Sequence, residues 1–458
     1  MTSPARTAEQ IATTALGPRA LPELGEQRAA AERAQVETVL DNGLRVLAVQ
    51  NTSVPMVEIR LGVPFAGSEP THPARAEVLS AALFAGTDRR DRYQVDTELA
   101  AVGADLSAGV DPEHLAVDGS VLAEGLPVLL DVLADVLTGA TYPDREVDGE
   151  RSRLVERLEV ARSQPGVLAR EALLHRAFGD HPSANEVPQA EDVAAVTAEQ
   201  VRQLHAQAVV PRGSLLVLVG DLDPEDAVAQ VRSALAGWTS EATAAVLPPW
   251  PAIAPADVLL VDRPGAVQSQ IRLVTQGVSR LDETYPAAQL ANLVFGGYFS
   301  SRLMENVRED KGYTYGASSG METSSAGAIL SVSLDTSRET TAAALMETTY
   351  ELGRVVHVPP TDAEIASARQ YAIGALSISL STQSGLASTL ARLLPLGVDA
   401  DWVRTHPLRL AEVSNDDVRA AAARMFGPGR FTGIVQCDVA TIGADLGTLG
   451  SVELPAAR

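Results

Sequence analysis

The side chains that most often carry catalysis are sparse in this chain and badly spaced for it. Histidines stand at His72, His114, His175, His181, His205, His357 and His406. No two are three or four residues apart, so no helix can turn a pair of imidazoles onto one metal ion. Cys437 is the only cysteine, which excludes an intrachain disulfide and any multi-thiolate metal site. Lys311 is the only lysine, and Gly312 follows it. A Walker-type phosphate loop needs a lysine that follows glycine and precedes Ser or Thr, so none exists here. Gly316-Ala317-Ser318-Ser319-Gly320 matches the G-x-S-x-G pattern of serine hydrolases. That chemistry requires a strand before the serine and a helix after it. Here a turn and another strand follow, so no nucleophile elbow is expected.

The elements that must position any site are organised as an internal repeat of about half the chain. Val196-Thr197-Ala198-Glu199-Gln200-Val201-Arg202 is answered by Val413-Ser414-Asn415-Asp416-Asp417-Val418-Arg419, and Pro211 and Asp221 by Pro428 and Asp438, at one spacing of 217. Each copy reads as a capped helix, a proline and an apolar strand. Near the start of each half the spacing is 212, where Ile59-Arg60-Leu61 meets Ile271-Arg272-Leu273; insertions in surface loops produce such drift. Leu44 to Val49, Met56 to Val63, Leu215 to Val219 and Ala328 to Leu334 read as strands. Val128-Leu129, Val132-Leu133 and Val136-Leu137 recur at helical spacing behind Pro127. Leu247-Pro248-Pro249-Trp250-Pro251, continuing to Pro255, breaks both periodicities and reads as a linker.

The expected organisation is therefore an N-terminal extension (1–36), a first α+β domain (37–243), a Pro-rich linker (244–256), a second α+β domain of similar fold (257–445) and a C-terminal tail (446–458). A length of 458 residues is too great for one core and agrees with two domains. The net charge of -23, without a basic stretch, argues against nucleic acid as a partner. A cationic or neutral polypeptide fits better. Arg6, Glu9, Arg19, Glu23, Glu26 and Arg28 alternate in sign over a segment with no apolar core. Neither a signal peptide nor a transit peptide is expected there, and the expected compartment is the cytoplasm. No apolar run approaches the roughly 20 residues of a membrane span. Arginine in place of lysine, with abundant alanine, suits a high-G+C bacterial coding bias.

Several local phrases, in order and spacing, carry a resemblance. The first half has Leu83-Phe84-Ala85-Gly86-Thr87 after its first helix, then Val102-Gly103-Ala104-Asp105-Leu106-Ser107-Ala108 leading into an exposed strand. The second half has Phe295-Gly296-Gly297, Ser301-Arg302-Leu303 and Arg308-Glu309-Asp310-Lys311-Gly312-Tyr313-Thr314-Tyr315. From about Val36 to Ile442 the chain resembles the pitrilysin-type (inverzincin) metallopeptidases, a family that includes the mitochondrial processing peptidase. The resemblance implies two homologous domains, each a mostly antiparallel sheet packed with helices, forming half of a clamshell.

In active members the first helix carries H-x-x-E-H, with two histidines on zinc and a glutamate as general base. Registering on Leu83 to Thr87 puts Glu77-Val78-Leu79-Ser80-Ala81 at that place, without either histidine or the base. The position of the third ligand falls near Glu156 or Arg157. Glu77 and Glu156 are expected to be solvated residues of helix faces, and no metal is expected in this chain. The resemblance assigns Arg308 and Tyr315 a different part: in the family an arginine and a tyrosine at this spacing bind the peptide backbone near the scissile bond. Guanidinium and phenol can both donate to a carbonyl oxygen that is acquiring charge. The other reading of the two residues is structural, with Arg308 paired to Glu305 or Glu309 and Tyr315 in the core. Arg302 is expected to be structural.

Some bacterial members divide the work between a zinc-bearing subunit and one that supplies the arginine and tyrosine, and this sequence is similar to the second kind. The expectation is a chain inert alone, paired as a heterodimer with a zinc-bearing homologue that carries H-x-x-E-H, and acting on a peptide substrate. The alternative is a structural or docking protein of the same fold.

Overall fold

Leu215 to Val219 is an unbroken apolar run, and such a run belongs in a strand covered on both faces. In the computed structural model, which describes residues 32 to 454, it lies within a six-stranded sheet. The strands are β1 (Gln35–Val39), β2 (Arg45–Gln50), β3 (Met56–Pro64), β4 (Asp105–Val110), β5 (His114–Leu122) and β6 (Leu215–Gly220), in the order β1-β2-β6-β3-β5-β4. A second six-stranded sheet contains β7 (Val258–Asp262), β8 (Gln268–Gln276), β9 (Thr314–Ser324), β10 (Gly327–Ser337), β11 (Thr432–Cys437) and β12 (Val452–Glu453), in the order β12-β7-β11-β8-β10-β9. The α+β class and the two-domain repeat hold. The sheets are mixed: β2 runs parallel to β6, and β7 runs parallel to both β11 and β12.

The two spacings of the repeat are both structural. β3 and β8 coincide at 212, and β6 and β11 at 217, as do the helices Ala198–Ala208 and Asn415–Met425. Thr197 and Ser414 cap those helices by accepting from the amides of Gln200 and Asp417. Arg60 and Arg272 also correspond. Arg60 donates to the carbonyls of Ile59 and Gly119, and Arg272 to those of Ile271 and Leu334, so each arginine ties the same two strands of its sheet.

One face of each sheet packs on its own half. Val46, Ala48, Ile59, Leu61, Leu216 and Leu218 meet the helices His72–Ala82 and Leu126–Gly139 in the first core. Ile271, Leu273, Leu330, Val332 and Val435 do the same in the second. The opposite faces are covered by exchange. The helix Gln383–Leu393 of the second half lays Leu386, Ala387 and Leu390 on Leu47, Val49, Leu215, Val217 and Val219 of the first sheet. The helix Pro165–Phe178 of the first half lays Ala169, Leu173, Leu174 and Phe178 on Val274, Ile329 and Ile434 of the second. The ranges 37–243 and 257–445 therefore follow chain order, and packing crosses them.

Two expected boundaries shift. The tail expected at 446–458 contributes β12, which adds to the edge of β7. The extension expected at 1–36 ends inside β1, and its residues 1 to 31 lie outside the described residues. The linker is docked rather than free. The Trp250 ring stacks on Phe178 at 4.8 Å, its indole N–H donates to Ser183, and its amide donates to Ala326.

Because each half supplies apolar side chains that the other needs, the halves should unfold together. Leu173→Ala and Leu390→Ala, both in exchanged helices, should each cost about 2 to 5 kcal/mol, as large-to-small core substitutions do. Urea unfolding followed at Trp238 and at Trp402, each left as the sole tryptophan, should give one shared midpoint that falls in both variants. Separate midpoints for the two probes would show that the exchange does not couple the halves.

Candidate functional site

Arg308 sits on a helical segment pinned from behind. The segment begins at Arg302, whose guanidinium is 5% exposed and donates to both carboxylate oxygens of Glu364 and to the carbonyl of Val358 at 2.6 Å. Arg302 is structural, as expected. Asn306, one turn on, donates to Glu347 at 3.0 Å and to the fully buried Glu351 at 2.8 Å, and Arg354 pairs with Glu351 at 3.0 Å. From Glu305 to Asp310 the helix widens to π form, and the Lys311 amide donates to the Asn306 carbonyl. Such turns recur at functional sites. Gly312, at φ +65°, ends the helix in a conformation that side chains resist, and the chain enters β9 with Tyr315 as its second residue.

This turn places Tyr315 beside Arg308, seven residues apart in sequence. The guanidinium lies over the Tyr315 ring at 5.5 Å and over the Phe299 ring at 4.6 Å, and Arg308 also pairs with Glu309 at 3.2 Å. Tyr315 is 93% exposed, so it does not fill the core. An open groove of about 770 Å³ runs along β9 and β10 past Tyr313, Thr314, Tyr315 and Ser333. Phe299, 60% exposed, is the residue that the sequence did not single out. It lies between Gly297 and Ser301 on no periodic face, so nothing in its spacing pointed to Arg308.

The helix of the first half has no comparable site. Ser80 is buried and its hydroxyl donates to the Glu77 carbonyl, and Ala81 offers no donor atom. Glu156 is exposed, as expected. Glu77 differs from expectation: it is half-buried, and burial pushes its carboxyl above the usual range while the Arg157 charge works the other way. The cause is packing, because it faces a cavity of only about 30 Å³ bounded by His72, Asp111, Pro182 and Glu186. Among the described residues no three His, Cys, Asp or Glu side chains are grouped to hold a metal, so the donors they offer do not fit a zinc site. His72 bonds the Phe65 carbonyl, His205 bonds Tyr142 and the Leu137 carbonyl, and His406 bonds Gln289. Ser318, centre of the G-x-S-x-G match, lies inside β9 opposite Ser333, with no helix after it.

The chain is thus two repeated α+β halves with exchanged helices, the second displaying Arg308 and Tyr315 beside an open groove. Solved structures share this fold. A peptidase M16 inactive domain from Pseudomonas fluorescens superposes with a TM-score of 0.81 at 23% identity, covering 88% of this chain and 97% of that one. A protease from Helicobacter pylori gives 0.80 at 15%, covering 89% and 100%. Residues 45–191 match the family described as insulinase (peptidase family M16), and residues 195–371 match the peptidase M16 inactive domain. The chain belongs to peptidase family M16, the pitrilysin-type metallopeptidases. An uncharacterized zinc protease of Streptomyces coelicolor is 27% identical over 85% of this chain and 87% of its own length. One of Mycobacterium tuberculosis is 27% identical over 86% and 92%. A probable mitochondrial-processing peptidase subunit beta of Arabidopsis thaliana is 26% identical over 45% of this chain and 39% of its own. No helix among the described residues is long and apolar enough to cross a membrane.

Two predictions follow from the two halves of this geometry. After dialysis the purified chain should hold far less than one zinc per chain by metal analysis; one tightly held zinc would contradict the donor set. The second concerns Glu364. Burial opposes its charged form, but Arg302 and the amide and hydroxyl of Thr361 hold its pKa down at about 2, against 4.5. A folded value below the unfolded one means stability present above pH 4.5 and lost as the pH falls toward 2. Glu364→Gln should therefore be less stable than the parent chain near neutrality, and the gap should narrow through that window in denaturant titrations.

Proposed function

We propose that this chain is the non-catalytic subunit of a heterodimeric zinc metallopeptidase, supplying Arg308 and Tyr315 to bind and polarise the substrate peptide backbone in a partner's zinc site. The observation that carries this reading is the pairing of two features in one chain. The helix that aligns with the zinc-binding motif has Glu77, Ser80 and Ala81 in place of ligands and base, while Arg308 and Tyr315 stand together on an open surface. A guanidinium whose ion pair among the described residues is with the adjacent, exposed Glu309, and a solvated phenol, suit a carbonyl oxygen from outside the chain.

Division of labour follows from the chemistry. A zinc-bearing M16 homologue would contribute the metal and its attacking water. Arg308 and Tyr315 would donate to the carbonyl oxygen as it gains negative charge, where preorganised donors matter most. Neither can generate a nucleophile, so this chain alone should not cleave peptides. Several M16 relatives are named as zinc proteases, and one is named as a subunit of a processing peptidase, which agrees with a paired arrangement. The substrate would be a short or unfolded peptide.

The test is reconstitution with an H-x-x-E-H-bearing homologue encoded beside this chain. A complex with one copy of each should survive size-exclusion chromatography. Tyr315→Phe should then lower kcat far more than it raises KM, by roughly a hundred- to thousand-fold, the cost of about 2.7 to 4 kcal/mol typical of losing one such donor. Arg308→Lys should be nearly as damaging as Arg308→Ala, because lysine lacks the planar fork. Unchanged turnover in both single variants, with zinc content and association intact, would reduce the pair to surface residues and favour a docking protein.

A further inference from the structure

Resting on that reading, we propose that Phe299 is a positioning residue of the Arg308–Tyr315 site, clamping the guanidinium flat against its ring so that the N–H rim faces the substrate carbonyl. Of the two rings that Arg308 touches, Phe299 is the closer, at 4.6 Å against 5.5 Å for Tyr315. A guanidinium packed over an aromatic face keeps its donors, which lie in the plane, for a ligand, and the Phe299 ring is the one close enough to hold it so. Its polar partner among the described residues is the carboxylate of Glu309, 54% exposed and adjacent in sequence, and an exposed pair of that kind contributes little. The rings are what hold the orientation.

Phe299 is itself fixed from both sides. Tyr298 packs on Tyr371 with ring centroids 5.0 Å apart, and the Ser301 amide donates back to the Tyr298 carbonyl at 3.2 Å, closing a tight turn over Phe299 and Ser300. Ser301 and Arg302 are buried immediately after it. A phenylalanine at 60% exposure is otherwise a poor choice for a turn, and alignment of Arg308 gives it a use.

The experiment separates an aromatic face from mere apolar bulk. In the complex with the zinc-bearing homologue, Phe299→Leu should lower kcat roughly five- to thirty-fold at near-constant KM, whereas Phe299→Trp should stay within about two-fold of the parent. Equal losses in both variants, or none in Phe299→Leu, would overturn the proposal. Arg308→Lys and Tyr315→Phe run in parallel distinguish the two levels. If they lose turnover and Phe299→Leu does not, the clamp alone is wrong; if neither loses turnover, the proposed function falls and the role of Phe299 falls with it. A second readout needs no partner: the rate at which phenylglyoxal modifies Arg308, followed by peptide mass spectrometry against Arg153 as reference. Phe299→Leu should speed modification at Arg308 several-fold and Phe299→Trp should not. An unchanged rate in Phe299→Leu would show that the ring does not hold the guanidinium.

Discussion

Each sheet in this protein has two apolar faces, and the chain supplies only enough local helix to cover one of them. β2 alternates Val46 and Ala48 toward its own core with Leu47 and Val49 toward the other side, and β6 is buried along its whole length. Exposing that second face would leave a contiguous apolar surface in water, which folded proteins avoid. Exchange of the helices Gln383–Leu393 and Pro165–Phe178 removes both faces at once. Polar contacts fix the register of the exchange. Gln383 donates to the carbonyls of Asn51 and Val54, Arg60 reaches Ser384 and Ser388, and Arg170 bridges Glu186 and Glu322. The relation between the halves is thus part of the core, and whatever the second half displays is held rigidly to the first.

Rigidity is what the role proposed for Arg308 and Tyr315 requires, because donors that stabilise a developing charge must be in place before the charge appears. The helix bearing Arg308 is tied down on its hidden side by Arg302 to Glu364 and by Asn306 to Glu347 and Glu351. Burying Glu351 completely is costly for a carboxylate, and it is tolerated here because Arg354 and Asn306 both engage it. On the visible side Arg308 meets the Phe299 and Tyr315 rings and the carboxylate of Glu309. Anchors are buried and paired, and the displayed rim is lightly partnered, a division that suits the proposed binding role.

The first half keeps the fold with residues on its first helix that do not match H-x-x-E-H. Its helix His72–Ala82 keeps Val78, Leu79 and Ala82 in the core, so the packing face is intact. Beside Glu77 the helix bounds a space of only about 30 Å³, room for about a single water, with His72 as its one histidine, and that ring is bonded to the Phe65 carbonyl. Packing demands only apolar volume, whereas zinc demands particular atoms at particular distances.

The sequence by itself determined the repeat, the class of fold and the family, because apolar periodicity, capping residues and glycine or proline at turns are local and survive reading in one dimension. β3, β6, β8 and β11 fall at the two spacings read from the chain, and the departure of Glu77, Ser80 and Ala81 from H-x-x-E-H was visible as residue type alone. It also marked Arg308 and Tyr315, whose spacing of seven spans a helix end and a strand start. Only the tertiary structure decided the rest. Helix exchange could not be read from the chain, since Leu386 and Leu390 have the same pattern whichever sheet they cover. The half-burial of Glu77 depends on the loop carrying Pro182 and Glu186, a hundred residues away. Phe299 gained its meaning only when a turn brought its ring over Arg308, because a cation and an aromatic face recognise each other through space and leave no period in the sequence.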